Sequence, residues 1–175
     1  LGRQNVVVPG LAAALVTSWA VGGRGPARGV LRIAAGYALS DLLMSTLKPT
    51  VGRHRPDTLG GGAWRFRPFS RPNEWHSMPS GHTVHVFSIA AGIADEVRSP
   101  AVRVAAYATA ALVGLQRVAF RAHWPSDVVV GSVLAIAVSR TTNRWLRGGL
   151  LSDGARRRTT LRLVPGAAYV SVPLP

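Results

Sequence analysis

Five apolar runs, separated by gaps that together with the C-terminal stretch carry most of the arginines, set the limits on what this chain can fold into. The runs are Val6–Gly23, Gly29–Leu47, Thr83–Val97, Ala101–Ala119 and Asp127–Ala137, the last continuing through Val138 towards Trp145. A helix of about 20 apolar residues crosses a bilayer, and most of these runs approach that length. The gaps are punctuated by residues that stop helices: Arg24-Gly25-Pro26 with Arg28, and Arg98-Ser99-Pro100. Arg140, Arg144, Arg147 and Arg156–Arg158 close the last run. The formal net charge is +14, yet 47% of the residues are hydrophobic. Charge and apolar mass are therefore segregated along the chain. The expected fold is all-α, a transmembrane helical bundle of about five spans, with a soluble bundle of the same amphipathic blocks as the competing reading. Residues 1–150 form the expected membrane-embedded domain, and 151–175 a basic, partly extended tail.

Composition removes several functional classes. The chain has no Cys, so a disulfide framework, a thiolate zinc site and a cysteine nucleophile are excluded. A pI of 11.9 invites a nucleic-acid reading. The arginines, however, sit in the gaps between apolar runs instead of forming one stripe, as in the loops of a membrane protein. No nucleic-acid partner is expected. Asp41, inside the second run, is costly in a membrane and calls for a partner. Lys48, seven residues on, is one option, and a wet interior is the other.

Alternating spans place Lys48–Gly81 and Arg117–Asp127 on one side, with the Arg24–Arg28 turn, the Arg98 turn and the tail on the other. The second set is expected to be cytoplasmic, because positive charge accumulates inside. The first set is also basic, which breaks that rule and asks for an anion-binding site on the outer face. Lys48–Gly81 reads as a loop, rich in Pro and Gly. In it Trp64, Phe66, Phe69 and Trp75 alternate with bases, a pattern suited to a membrane interface.

Three clusters carry chemistry. Lys48 and Arg55, seven apart and flanked by Pro49 and Pro56, can converge on one anion, with Arg as a planar fork and Lys as a point charge. In Pro79-Ser80-Gly81-His82, Ser80 is a natural N-cap. Gly81 allows close backbone approach, and the first amides of a helix attract anions. His82 at the rim is suited to proton transfer. In Gln116–Gly131, Arg117 offers another clamp. His123 and Asp127, four apart, would share a helix face, so that the carboxylate orients the imidazole as base or nucleophile. All three clusters are expected at span boundaries on the same side.

Lys48-x6-Arg55-Pro56, then Pro79-Ser80-Gly81-His82, then Arg117-x5-His123-x3-Asp127 resembles the three-part signature of the type-2 phosphatidic acid phosphatase superfamily. That site is shared with vanadium haloperoxidases and bacterial class A acid phosphatases. The resemblance covers about half of the chain, and three motifs in order are far more specific than any one. It implies a membrane helical bundle, normally of six spans, with the site near the outer face. It assigns Lys48, Arg55 and Arg117 to the phosphate, with hydrogen bonds from Ser80 and Gly81. It implies in-line attack by His123, oriented by Asp127, and His82 as the acid that protonates the leaving group and then activates water. It implies no metal and no cofactor.

Two features depart from the pattern. Gln116 stands where the third motif usually has Ser, and five spans are counted against six, which would put a further span before Leu1. The implied activity is hydrolysis of a lipid phosphate such as phosphatidic acid, phosphatidylglycerol phosphate or a polyprenyl (di)phosphate, through a phosphohistidine, in the bacterial inner membrane. The implied partners are that lipid substrate and membrane lipids. Arg53, Arg65, Arg67 and Arg71 lean towards room for a second phosphate. The alternatives are a haloperoxidase-like enzyme on the same site, a transferase with another acceptor, and a non-enzymatic basic membrane protein. In the tail, Thr159–Pro175 alternates Thr, Leu and Val between prolines and reads as an extended segment or edge strand.

Overall fold

The computed structural model describes residues 24–149 except 59–61, scattered helical positions between 10 and 20, and two strands in the tail. The expected Val6–Gly23 run lies largely outside the described residues. Four helices form the body: α1 (Arg24–Val51), α2 (Gly81–Glu96), α3 (Pro100–Ala119) and α4 (Pro125–Gly148). A single 3-10 turn, Asn73–Trp75, interrupts the long connection between α1 and α2. The described residues of the tail form an antiparallel hairpin, β1 (Thr160–Val164) with β2 (Ala167–Ser171), paired from Thr160↔Ser171 to Val164↔Ala167.

The sequence explains the helix boundaries. Ser99 caps α3 by accepting from the Val102 amide, with Pro100 in the first turn. Pro125 opens α4 in the same way. At the far end of α1 the structure corrects the loop reading. The helix continues through Lys48 and Pro49 to Val51, so Lys48 is a helical residue. Gly52 ends it at φ +60, its amide returning to the Lys48 carbonyl at 3.0 Å. A Cβ at Gly52 would run into the Arg67 carbonyl, so the connection packs against this glycine.

α2 is the central helix and packs on α1, α3 and α4, while α1 also packs on α4. Small residues set the crossings. A Cβ on Gly36 would stand 2.7 Å from Ser139 Oγ, and one on Gly92 2.8 Å from Ile33 Cγ1. Between the helices the buried side chains include Ser40, Ser88, Ser139 and Thr83. Their hydroxyls find acceptors: Ser40 donates to the Gly36 carbonyl at 2.7 Å and Ser139 to the Ser88 carbonyl at 2.9 Å. The apolar core is small, built on Met44, Val84 and Ala135 with Phe87 and Leu134 against it. Much of the apolar mass faces outward, as at Leu39, Leu42, Leu112, Leu115 and Val133. Close backbone approach through small residues is how helices associate where no hydrophobic force drives them together. By length and composition one described helix, Gly25–Val51, qualifies to cross a membrane.

Asp41 finds its partner across α1 and α2. Its Oδ1 lies 2.6 Å from His85 Nε2, and the His85 ring packs near Tyr37. Lys48 turns the other way, its Nζ donating to the His76 carbonyl at 3.2 Å. At the end of the bundle away from Lys48, Arg32 and Arg147 both reach Glu96 at 2.8 Å. The turns alternate, so the C-terminal ends of α1 and α3 and the N-terminal ends of α2 and α4 meet at one end. All three sequence clusters lie there.

The α1–α4 crossing depends on the missing side chain at residue 36. Gly36→Val is expected to destabilise the bundle by about 1–3 kcal/mol, the usual cost of overpacking, read as a lowered thermal midpoint in detergent.

Candidate functional site

Asp127 organises the site end. It is fully buried in the first turn of α4. Its Oδ1 accepts from Arg53 Nη1 at 2.6 Å, and its Oδ2 accepts from Ser77 Oγ at 2.5 Å and from the Trp124 amide at 2.9 Å. A buried carboxylate is tolerated only when paired and hydrogen-bonded, and here three donors from three segments supply that. Arg53 is itself buried. Its Nε and Nη2 donate to the Ala63 carbonyl at 3.0 and 2.7 Å, Nη1 also reaches Ser126 Oγ at 2.6 Å, and the guanidinium lies over the Phe66 and Trp124 rings.

This differs from the sequence expectation in two ways. Arg53 was grouped with the arginines that leave room for a second phosphate. Its guanidinium is instead committed to Asp127 and the Ala63 carbonyl. His123 was expected to share a helix face with Asp127, but α4 begins only at Pro125, so His123 stands in the turn before it. Its Nδ1 is 2.7 Å from the Ser77 carbonyl and 3.8 Å from Asp127 Oδ2. A carbonyl can only accept, so this contact places the proton on Nδ1 and leaves the Nε2 lone pair open. Ser77 thus holds both partners, the carboxylate through its hydroxyl and the imidazole through its carbonyl. Sequence reasoning missed both Arg53 and Ser77. Arg53 is one arginine among several in a basic segment, and Ser77 lies two residues outside a motif. Neither position carries a sequence signal that separates it from its neighbours.

The remaining expected residues converge. The α2 N-terminus is pinned to α4 by the Ser80 amide donating to the Asp127 carbonyl at 3.0 Å. Ser80 occupies the N-cap position, yet its hydroxyl accepts from Thr83 Oγ1 at 2.9 Å and makes no side-chain cap. Gly81 lies against the Lys48 amine, where an added Cβ would be 3.5 Å from Nζ. His82 follows in the first turn of α2. Arg55 anchors to the Asn73 carbonyl through Nε at 3.0 Å and to the Ala122 carbonyl through Nη1 at 3.4 Å, which brings the first motif against the third. Arg117 Nε is buried without a hydrogen-bond partner.

The electrostatics are one-sided. Among the described residues, Lys48, Arg55 and Arg117 have no carboxylate in ion-pair range, whereas Arg53 and Asp127 neutralise each other. Burial holds the Arg55 guanidinium below its ordinary range, against the opposing charges of Asp57 and Asp127. Burial also lowers His123 below the usual imidazole range, with Arg55 and Lys48 pushing the same way and Asp127 opposing. A neutral imidazole among uncompensated cations can take a tetrahedral oxyanion and offer it a nitrogen lone pair. Among the described residues no group of His, Asp and Glu is arranged to hold a metal ion.

Removing Arg53 would leave a buried carboxylate without its counter-charge. Arg53→Ala is expected to cost about 3–5 kcal/mol, measured by chemical or thermal unfolding in detergent. Arg53→Lys should recover part of that loss, since it restores the charge but not the fork.

The PAP2 superfamily model matches residues 29–148. A lipid A 1-phosphatase of Rhizobium johnstonii is 42% identical over 93 residues, 53% of this chain and 37% of that protein. A lipid A 1-phosphatase of Porphyromonas gingivalis is 32% identical over 157 residues, 87% of this chain and 32% of that protein. The chain thus spans about a third of the length of these curated relatives. The crystal structure of Aquifex aeolicus LpxE superposes with a TM-score of 0.64 at 23% identity, covering 82% of this chain and 79% of that one, which is a likeness of fold. The family match runs from the first turns of α1 to the end of α4 and takes in every residue of the cluster just described; the chain belongs to the PAP2 superfamily.

Proposed function

We propose that the protein is a metal-independent lipid phosphate phosphatase working through a phosphohistidine. The observation that carries this reading is the cation set of Lys48, Arg55 and Arg117, the last with its Nε buried and without a hydrogen-bond partner, beside an imidazole whose Nε2 is left open. Lys48, Arg55 and Arg117, with the Ser80 hydroxyl and the Gly81 amide, bind the phosphoryl oxygens and take up the charge that builds in the transition state. His123 Nε2 attacks phosphorus in line, forming a P–N bond as the P–O bond to the lipid breaks. His82 gives its proton to the departing oxygen. It then takes a proton from water, whose oxygen attacks phosphorus as the P–N bond breaks, releasing phosphate and restoring both histidines. Asp127, held by Arg53 and Ser77, stabilises the positive charge that His123 acquires, and the Ser77 carbonyl keeps its tautomer.

The lipid part of the reading rests on the distribution of side chains. Small polar residues pack between the helices while leucines and valines face outward, the reverse of a water-soluble bundle. The Arg32–Glu96–Arg147 cluster and the catalytic cluster lie at opposite ends, with the Asp41–His85 pair between them. A membrane bundle of about five spans, Val6–Gly23 and α1 to α4, accounts for this arrangement. The site then lies at the outer face of a bacterial inner membrane, and the arginines there serve an anion instead of marking the cytoplasmic side. Among lipid phosphates, the names of the relatives make the 1-phosphate of lipid A the first to test.

Phosphate release from a panel of lipid phosphates in detergent, including lipid A, phosphatidic acid and polyprenyl diphosphate, tests the proposal. His123→Ala is expected to abolish turnover, and near-normal release by that variant would defeat the mechanism. Arg117→Lys should lower kcat/KM by roughly 10- to 1000-fold, because a point charge replaces the fork. The pH profile gives an independent check. His123 is depressed below its ordinary value of 6.5, so the nucleophile stays unprotonated as pH falls through that value. The acid limb of kcat/KM is expected below pH 6.5, and a limb above it would exclude His123 as the buried neutral nucleophile.

A further inference from the structure

We infer that the segment Trp64–Arg71 is an interfacial platform that seats the mouth of the site in the headgroup layer of an anionic membrane, so that the enzyme favours phosphates presented by a bilayer over the same group in water. This rests on the membrane reading above and adds to it a specific contact surface.

The segment is held rigidly. The Phe69 amide donates to the Pro49 carbonyl at 2.6 Å and the Arg67 amide to the Gly52 carbonyl at 2.7 Å, both at the end of α1. Arg53 grips it from beneath through the Ala63 carbonyl. So fixed, it holds Trp64 and Phe69 away from the protein, while Phe66 lies against the Arg53 guanidinium. Trp64 is 86% exposed and Phe69 79% exposed, more than any other described aromatic residue. Phe69 has φ 60, a conformation that side chains with a Cβ rarely adopt. The backbone tolerates strain there to turn a phenyl ring outward.

Bulky aromatics held out by a rigid backbone need something that takes both an apolar ring and a charge. Arg65, Arg67 and Arg71 alternate with them, all exposed. Trp and Arg together match the lipid–water interface, where rings sit among headgroups and guanidinium groups meet phosphates. The segment also continues an apolar surface. It hangs from the end of α1, whose outer face presents Leu39, Leu42 and Leu43. From that helix the surface passes from exposed leucines to a segment in which aromatics and arginines alternate, as a bilayer passes from hydrocarbon to its interface. The same hydrogen bonds tie the platform to Pro49 and Gly52, the chain neighbours of Lys48 and Arg53, so its depth in the membrane sets the height of the phosphate site.

The test uses the full chain in nanodiscs of phosphatidylcholine and phosphatidylglycerol, with two substrates: phosphatidic acid in the same bilayer, and p-nitrophenyl phosphate in solution. The double variant Trp64→Ser/Phe69→Ser is expected to raise KM for the bilayer substrate by roughly tenfold and to leave kcat/KM for the soluble one unchanged. In parallel, brominated lipids should quench more tryptophan fluorescence in the unaltered protein than in Trp64→Phe. Equal losses on both substrates would overturn the inference by showing that the segment shapes the site itself. Unquenched Trp64 would also overturn it and would point to a protein partner. If the unaltered protein hydrolyses neither substrate nor any lipid phosphate of the panel above, the phosphatase reading fails, and the quenching measurement alone decides whether the platform meets lipid.

Discussion

The buried pair of Arg53 and Asp127 is the contact on which the rest of the site end depends. Burying a carboxylate completely is costly, and the cost is offset only when charge and hydrogen bonds are returned to it. Arg53 supplies the charge, and Ser77 and the Trp124 amide the other donors. Each comes from a different part of the chain. Asp127 therefore draws together the end of α1, the segment before α2 and the start of α4. The Ser77 carbonyl passes that order on to His123. In the proposed mechanism the nucleophile owes its tautomer to a backbone carbonyl, and the carboxylate acts on it from 3.8 Å through charge.

This pairing also resolves the excess of positive charge. Two cations close together in the chain, Arg53 and Arg55, have opposite electrostatic situations. Arg53 is neutralised by Asp127, while Arg55 joins Lys48 and Arg117 with no carboxylate in range among the described residues. Half-burying cations without a counter-charge makes sense where a mobile anion supplies it. The far end of the bundle is the contrast: there Glu96 takes both Arg32 and Arg147.

Much of this was legible in the sequence. The start of α3 followed from Ser99 and Pro100, whereas Arg24–Arg28, read as a turn, is the first part of α1; the three clusters were placed at one end by the alternation of runs alone. The tail was read as extended and forms a hairpin. Three points were misread for a shared reason. Lys48 was assigned to a loop because prolines follow it, yet Pro49 fits the last turn of α1. Asp41 was offered Lys48 as a partner along its own helix, but His85 reaches it from the neighbouring one. Ser80 was expected to cap with its hydroxyl, which Thr83 occupies instead. Local spacing describes contacts within one element, and these contacts lie between elements or compete with them.

By itself the sequence determined the inventory and its order: four described helices, cations and histidines at their ends, and the motif spacing that marks the family. Periodicity, capping and breaker residues act over a few positions, so they are written locally. Only the tertiary structure decided which arginine is buried against Asp127 and which remain open to an anion. It alone decided that Ser77 orients His123, and that Trp64 and Phe69 are held outward. Those outcomes depend on which distant segments meet, and the spacing of residues along a chain carries no record of that.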